Sequence, residues 1–259
     1  MALSPDFRTY TGATRATETA AVLDVGLRAY MLRVYNWMAS GLVLTGIVAL
    51  AISNTGLIDL FYPLVATARG TMVRSPTILA YAAMFAPLAF VLVMQFGVNR
   101  LSTTSVQALY WAFCIAMGAS LTSIFLVYTG GSIARVFFIT AATFGATSLY
   151  GYTTRADLTK MGSFMMMGLF GIIIASLVNM FIGSTALQFA ISVIGVLVFV
   201  GLTAYDTQRI KGDYIEFAYA EGTAGAAKRA VYDSLTLLLN FINLFTLLLQ
   251  LLGVRNNNN

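Results

Sequence analysis

Apolar residues gather in seven stretches, at 33–52, 77–95, 107–128, 134–150, 162–182, 187–206 and 232–252, separated by polar or Gly/Pro-containing segments. A hydrocarbon core about 30 Å thick takes roughly 17–25 residues of α-helix. Each stretch therefore predicts one membrane-spanning helix, and the chain reads as an all-α membrane protein with seven transmembrane helices. Two connections are long: 53–76, which holds Pro63 and Pro76, and 207–231, which is polar and rich in Gly and Ala. Residues 22–33 predict a short amphipathic interfacial helix leading into the first span, with Asp24 and Arg28 spaced to pair on its polar face. The expected organisation is a polar cytoplasmic tail over 1–21, a seven-helix membrane domain over 22–253 and a short tail over 254–259, frayed from Asn256 to Asn259. There is no repeat of solenoid length and no pair of broken helices of the kind that marks inverted-repeat transporters.

Composition agrees with the pattern: 59% of the 259 residues are hydrophobic and 10% are charged, against about 25% charged in soluble domains. The net charge of +5 comes from Arg and Lys flanking apolar runs, a signature of membrane topology rather than of nucleic-acid binding. If the N-terminus is cytoplasmic, only Arg69, Arg74, Arg135 and Arg255 fall outside, and every other Lys and Arg falls inside. This predicts a cytoplasmic N-terminus and, after seven spans, an external C-terminus. The first thirty residues lack the apolar core of a secretory signal.

Two absences limit the chemistry. With no His, Ser–His hydrolysis and His-ligated zinc or haem are excluded. The single cysteine, Cys114, allows no intrachain disulfide and reads as a small buried hydrophobe. No tightly bound cofactor is expected.

Candidate chemistry lies in the last two spans. In span seven, Asp233, Thr236, Asn240, Asn243, Thr246 and Gln250 recur at steps of three and four, which aligns them on one side of a helix. Such a stripe cannot face lipid. It predicts a helix turned toward other helices or a cavity, with interhelical hydrogen bonding as the structural alternative. A weaker stripe in span four (Thr140, Thr143, Thr147, Tyr150) carries hydroxyls that can satisfy themselves on their own backbone. Asp206, in Gly201-Leu202-Thr203-Ala204-Tyr205-Asp206-Thr207-Gln208, is different because it carries charge. An ionisable group at a membrane boundary marks an ion or proton function by default. The simpler alternatives are contact with cytoplasmic water or pairing with Arg209 one turn on. At the C-terminal end of a helix, this carboxylate would oppose the helix dipole.

Four blocks, in order and on matching spans, resemble the Bax inhibitor-1 family, most closely its bacterial branch. They are Leu27-Arg28-Ala29-Tyr30-Met31-Leu32-Arg33-Val34-Tyr35-Asn36; Gly145-Ala146-Thr147-Ser148-Leu149-Tyr150-Gly151-Tyr152-Thr153-Thr154 with Asp157-Leu158; Ala204-Tyr205-Asp206-Thr207-Gln208; and Asn240-Phe241-Ile242-Asn243-Leu244-Phe245. The resemblance spans about residues 23–253. It implies a seventh helix surrounded by the other six and a pH-sensitive calcium leak in a bacterial inner membrane. In members with that activity, two aspartates of the sixth and seventh helices share a proton, titrate as a unit and gate. The first corresponds to Asp206 and the second to Asn240, which cannot ionise. Asp233, on the same face about 10 Å nearer the cytoplasm by helical rise, is a candidate displaced acid.

These readings give two functions of different class. One is a passive cation leak, with calcium as the permeant ion and Asp206 as its candidate ligand. The other, which the bacterial branch implies, is a non-transporting regulator that binds a membrane-bound protease or other membrane protein. An enzyme is not expected. Tyr205-Asp206 looks like half of an aspartyl intramembrane protease, but span seven has no Gly-x-Gly-Asp to supply the second acid. Span seven also has no lysine for a retinal Schiff base.

Overall fold

A computed structural model describes the backbone of residues 8–66, 72–217 and 222–256, and the side chains of 25–66, 72–216 and 225–256. Seven of its helices are long and apolar enough to cross a membrane. They are α1 (Arg8–Asn54), α3 (Ile78–Gly97), α4 (Thr103–Val127), α5 (Gly130–Thr153), α6 (Thr159–Ile182), α7 (Thr185–Phe217) and α8 (Gly222–Leu252), with a short helix α2 (Ile58–Phe61) between the first two.

The seventh span, α8, forms the core. Its membrane window is 61% buried, whereas no other span exceeds 33%. It packs against α1, α4, α5 and α7. α3 reaches it through the Tyr232 hydroxyl, which donates to Met94 O at 2.9 Å, and α6 packs on the outside of α7. The low burial of α6, 6%, follows from its composition: an evenly apolar helix such as Phe164–Ile182 has no face that lipid cannot solvate. Small residues let backbones approach. A Cβ on Gly151 of α5 would stand 2.2 Å from Ala204 O of α7, and one on Gly118 of α4 would stand 2.6 Å from Thr45 O of α1.

Three sequence expectations are corrected. The segment 22–33 is no separate interfacial helix, because α1 runs unbroken from Arg8 to Asn54. Leu27, Tyr30, Met31 and Val34 are buried, so the apolar face joins the bundle instead of lying in the membrane surface. The Asp24 side chain lies outside the described residues, and with it the expected Asp24–Arg28 pair. The second correction concerns 207–231, which is mostly helix: α7 continues to Phe217 and α8 begins at Gly222. Ile210 is fully buried and Tyr214 packs against the core. This four-residue spacing extends the buried stripe of α7 past the apolar run. Third, the C-terminal tail is tied down as far as Asn256, whose N–H donates to Val127 O at 2.8 Å. The Val254 N–H donates to Ser132 Oγ at the same distance.

The other long connection, 53–76, carries α2 and an antiparallel hairpin, β1 (Leu64–Ala66) with β2 (Met72–Arg74). Arg74 closes it onto α2 through an ion pair with Asp59 at 2.8 Å. Pro63 and Pro76 flank the strands, where a missing N–H costs no ladder bond.

Candidate functional site

Asp206 lies within α7, with eleven residues of helix beyond it to Phe217. Its carboxylate is therefore mid-helix, and the expected conflict with a helix C-terminus does not arise. It is 5% exposed, and both of its oxygens are engaged. Oδ2 accepts the Nδ2–H of Asn240 of α8 at 2.8 Å, and Oδ1 pairs with Arg209 at 2.9 Å. Asn240 is 6% exposed. The arrangement thus joins the two central helices with one acid, one amide and one cation. The Arg209 side chain is 40% exposed, so the guanidinium bridges the buried carboxylate and the surface, passing along the face of the Tyr205 ring. A carboxylate with one hydrogen bond and one ion pair of this kind is tolerated in a low-dielectric site because its charge is compensated.

Asp233 lies about 10 Å along α8 from Asn240 by helical rise, and the structure does not join it to Asp206. It accepts instead from the Tyr30 hydroxyl of α1 at 2.5 Å. Tyr30 stacks on Tyr214 of α7, with ring centroids 4.7 Å apart. A half-buried acid thus clasps α1 to α8 at the same end of the bundle as Arg209. Nothing in the linear sequence announces this contact, because the partners are 203 residues apart.

The remaining stripe divides between interhelical bonding and self-satisfaction. Gln250 Oε1 accepts from Ser192 Oγ of α7 at 2.9 Å. Thr236 and Thr246 return their hydroxyls to Tyr232 O and Asn243 O on α8 itself, and Asn243 is half-buried. On α5, Thr140, Thr143 and Thr147 likewise bond to their own backbone, as hydroxyls in an apolar helix do.

A hydroxyl chain that sequence reasoning missed runs beside Asp206. Tyr35 Oη of α1 meets Ser148 Oγ of α5 at 2.5 Å, and Ser148 Oγ meets Thr207 Oγ1 of α7 at 3.0 Å. One residue on, Gln208 holds the α5–α6 turn: it accepts from Leu158 N–H and donates to Ala156 O, both at 2.8 Å. All three α7 residues, Asp206, Thr207 and Gln208, point to different neighbours because successive side chains rotate by about 100° around a helix. Among the described residues, no three Asp, Glu or Cys side chains group to hold a metal ion.

Seven apolar spanning helices, the polar-striped seventh at their centre and a buried acid where it meets its predecessor, define an integral membrane protein with an ionisable site in its core. Residues 27–257 match the family described as inhibitor of apoptosis-promoting Bax1, and the chain belongs to that family. It is similar to protein RP147 of Rickettsia prowazekii, at 44% identity over 95% of this chain and 98% of the relative. It is also 43% identical to a Caulobacter vibrioides protein, over 95% of this chain and 96% of that one. The inner membrane protein YbhL of Escherichia coli is 42% identical over 89% of this chain and 93% of its own.

Proposed function

We propose that this protein is a passive cation leak of a bacterial inner membrane, with calcium as a permeant ion and Asp206 as the group the ion meets. The observation that carries the reading is the compensated carboxylate of Asp206, buried between α7 and α8 and held by Asn240 at 2.8 Å and Arg209 at 2.9 Å. A hard divalent cation favours carboxylate oxygens, and here the guanidinium occupies the place such a cation would take. Passage requires Arg209 to swing outward, which its half-solvated position permits. Because the second position is the amide of Asn240, one carboxylate alone cannot share a proton with a neighbour. The leak is therefore expected to respond to pH less steeply than one built on paired acids.

The same amide argues against a protease role, since aspartyl catalysis needs two acids sharing one proton. We place the N-terminus in the cytoplasm and the C-terminus outside. Lys211, which donates to Tyr152 O, and Lys228, which donates to Val98 O, lie at the end of the bundle where Arg28, Arg100 and Arg155 also sit, as the positive-inside rule requires of the cytoplasmic end. The inner-membrane assignment is supported by similarity to YbhL.

The test is calcium flux into dye-loaded proteoliposomes between about pH 6 and 8, comparing wild type, Asp206→Asn, Arg209→Gln and Asn240→Asp. Flux is expected to fall in Asp206→Asn, to rise in Arg209→Gln and to become steeply pH-dependent in Asn240→Asp. Absence of flux in every variant would overturn the leak and favour the regulator that binds a membrane protease.

A further inference from the structure

We infer that the groove between α1 and α5 binds an anionic glycerophospholipid of the cytoplasmic leaflet, with an acyl chain in the groove and the headgroup phosphate at Arg28. The groove has a volume of about 500 Å³ and is walled by Met31 and Leu32 of α1 and by Phe144, Gly145 and Leu149 of α5. Leu32 and Leu149 form its outer lips, 54% and 63% exposed, on surfaces that only bilayer lipid can solvate in a membrane. At the floor the two polar side chains, Tyr35 and Ser148, are bonded to each other at 2.5 Å, so the groove offers an apolar bed with its polar atoms already satisfied.

Charge is confined to one end. Arg28 lines the groove there beside Tyr152, and the ammonium of Lys211 lies 5.1 Å over the Tyr152 ring. Among the described residues no carboxylate pairs with Arg28. Lys211 donates to Tyr152 O, which fixes a second positive charge next to the same wall. From Tyr152 to Phe144 the groove runs eight residues of helix, about 12 Å, against roughly 15 Å for one leaflet of a 30 Å core. Length, apolar lining and a basic rim at the cytoplasmic end together match one acyl chain with a negatively charged headgroup. Zwitterionic lipid would fill the bed and offer the same phosphate, but its own cationic group would stand beside Arg28 and Lys211 and offset the attraction that an anionic headgroup keeps.

The bound lipid would lie against Ser148, which contacts Thr207, the neighbour of Asp206 in α7. Nearer the other membrane face lies a second, smaller cavity of about 110 Å³ between α1, α4, α5 and α8, which Phe137 and Phe241 line. Phe241 of α8 touches both Phe137 and Phe144 and separates the two.

The experiment is native mass spectrometry of the full chain, delipidated in detergent and titrated with phosphatidylglycerol or phosphatidylcholine of equal chain length. Three variants are compared with wild type. Arg28→Gln removes the headgroup charge. Gly145→Phe fills the bed from its wall, where a Cβ meets nothing within 4 Å. Gly171→Phe, on α6 and equally unobstructed, controls for added bulk on a lipid-facing helix. Wild type is expected to prefer phosphatidylglycerol about fivefold, the increment of one basic residue near a membrane surface. Arg28→Gln should bring that preference close to unity, and Gly145→Phe should abolish stoichiometric binding with its unfolding temperature unchanged. Gly171→Phe should behave as wild type. Equal binding of the two lipids by wild type, or phosphatidylglycerol binding that survives Gly145→Phe, overturns the assignment. Neither result bears on calcium flux, so the lipid site and the leak stand or fall separately.

Discussion

The pairing of Asp206 with Arg209 makes a quantitative prediction. In Arg209→Gln the carboxylate stays where it is, 5% exposed, and keeps the amide of Asn240 at 2.8 Å but loses its charged partner, Arg209. Removing one member of a fully buried pair costs about 3–5 kcal/mol, because the other charge is left uncompensated. Here the arginine side chain is 40% exposed. Solvent therefore screens part of the interaction, which pulls the cost toward the surface value of about 0–1 kcal/mol. The expected loss is about 1–3 kcal/mol, between those two limits. Asp206→Asn removes the charge itself. The new amide oxygen can still accept from Asn240, so its cost is about 1 kcal/mol, the net worth of an altered hydrogen bond. Once residue 206 is neutral, Arg209→Gln should cost almost nothing further. The double variant is then as stable as Asp206→Asn alone, with a coupling of about 1–3 kcal/mol, above the roughly 0.5 kcal/mol expected of independent sites. Equilibrium unfolding of the four proteins in detergent micelles measures the cycle. Additive losses would refute the idea that Arg209 compensates Asp206. They would also remove the reason to expect greater flux from Arg209→Gln.

Two further predictions test the frame around the site. Gly151→Ala should destabilise by about 1–3 kcal/mol, as overpacking does, because its Cβ would stand 2.2 Å from the Ala204 carbonyl oxygen and force α5 from α7. It should also lengthen the Ser148–Thr207 contact, and an unchanged unfolding free energy would show the helices to be less tightly seated than the structure has them. At the start of α6, the Asp157 carboxylate accepts Thr159 N–H at 2.9 Å, and its bonds to Thr159 hold its pKa below the usual carboxylate range. A depressed pKa contributes stability above the unfolded-state value that is lost as pH falls through the folded-state value. Wild type should accordingly lose stability below about pH 4, with that part of the acid limb absent in Asp157→Asn. Acid limbs that superimpose in the two proteins would count against it.

Much of this protein was legible in its sequence because a bilayer imposes simple rules. Seven continuous apolar runs of about 17–22 residues match helices, which satisfy their own backbone groups in lipid, and are too long for barrel strands of about 9–11 residues. The one-sided stripe from Asp233 to Gln250 had to turn away from lipid, which put the seventh helix at the centre. The Asp206–Asn240 juncture was indicated as well, by the motif blocks that resemble the family. The helix ends were less legible. Past Asp206 the residues become polar, and an apolar-run criterion stops there, yet Ile210 and Tyr214 keep one face of α7 buried to Phe217. Amphipathic continuation is invisible to a measure of mean hydropathy.

What only the tertiary structure decided are the partners. Sequence offered Asp206 three environments: water, Arg209 or Asn240. Packing α7 on α8 selected two of them at once and buried the carboxylate between them. Asp233 looked like a displaced second acid because it shares a face with Asn240. The approach of α1 gave it to Tyr30 instead, 203 positions away. The Tyr35–Ser148–Thr207 chain and the groove above it likewise join residues from three helices. Spacing along one helix fixes which side chains share a face, because the backbone geometry is regular. Which neighbour that face meets depends on how the helices pack, and that is a property of the whole bundle.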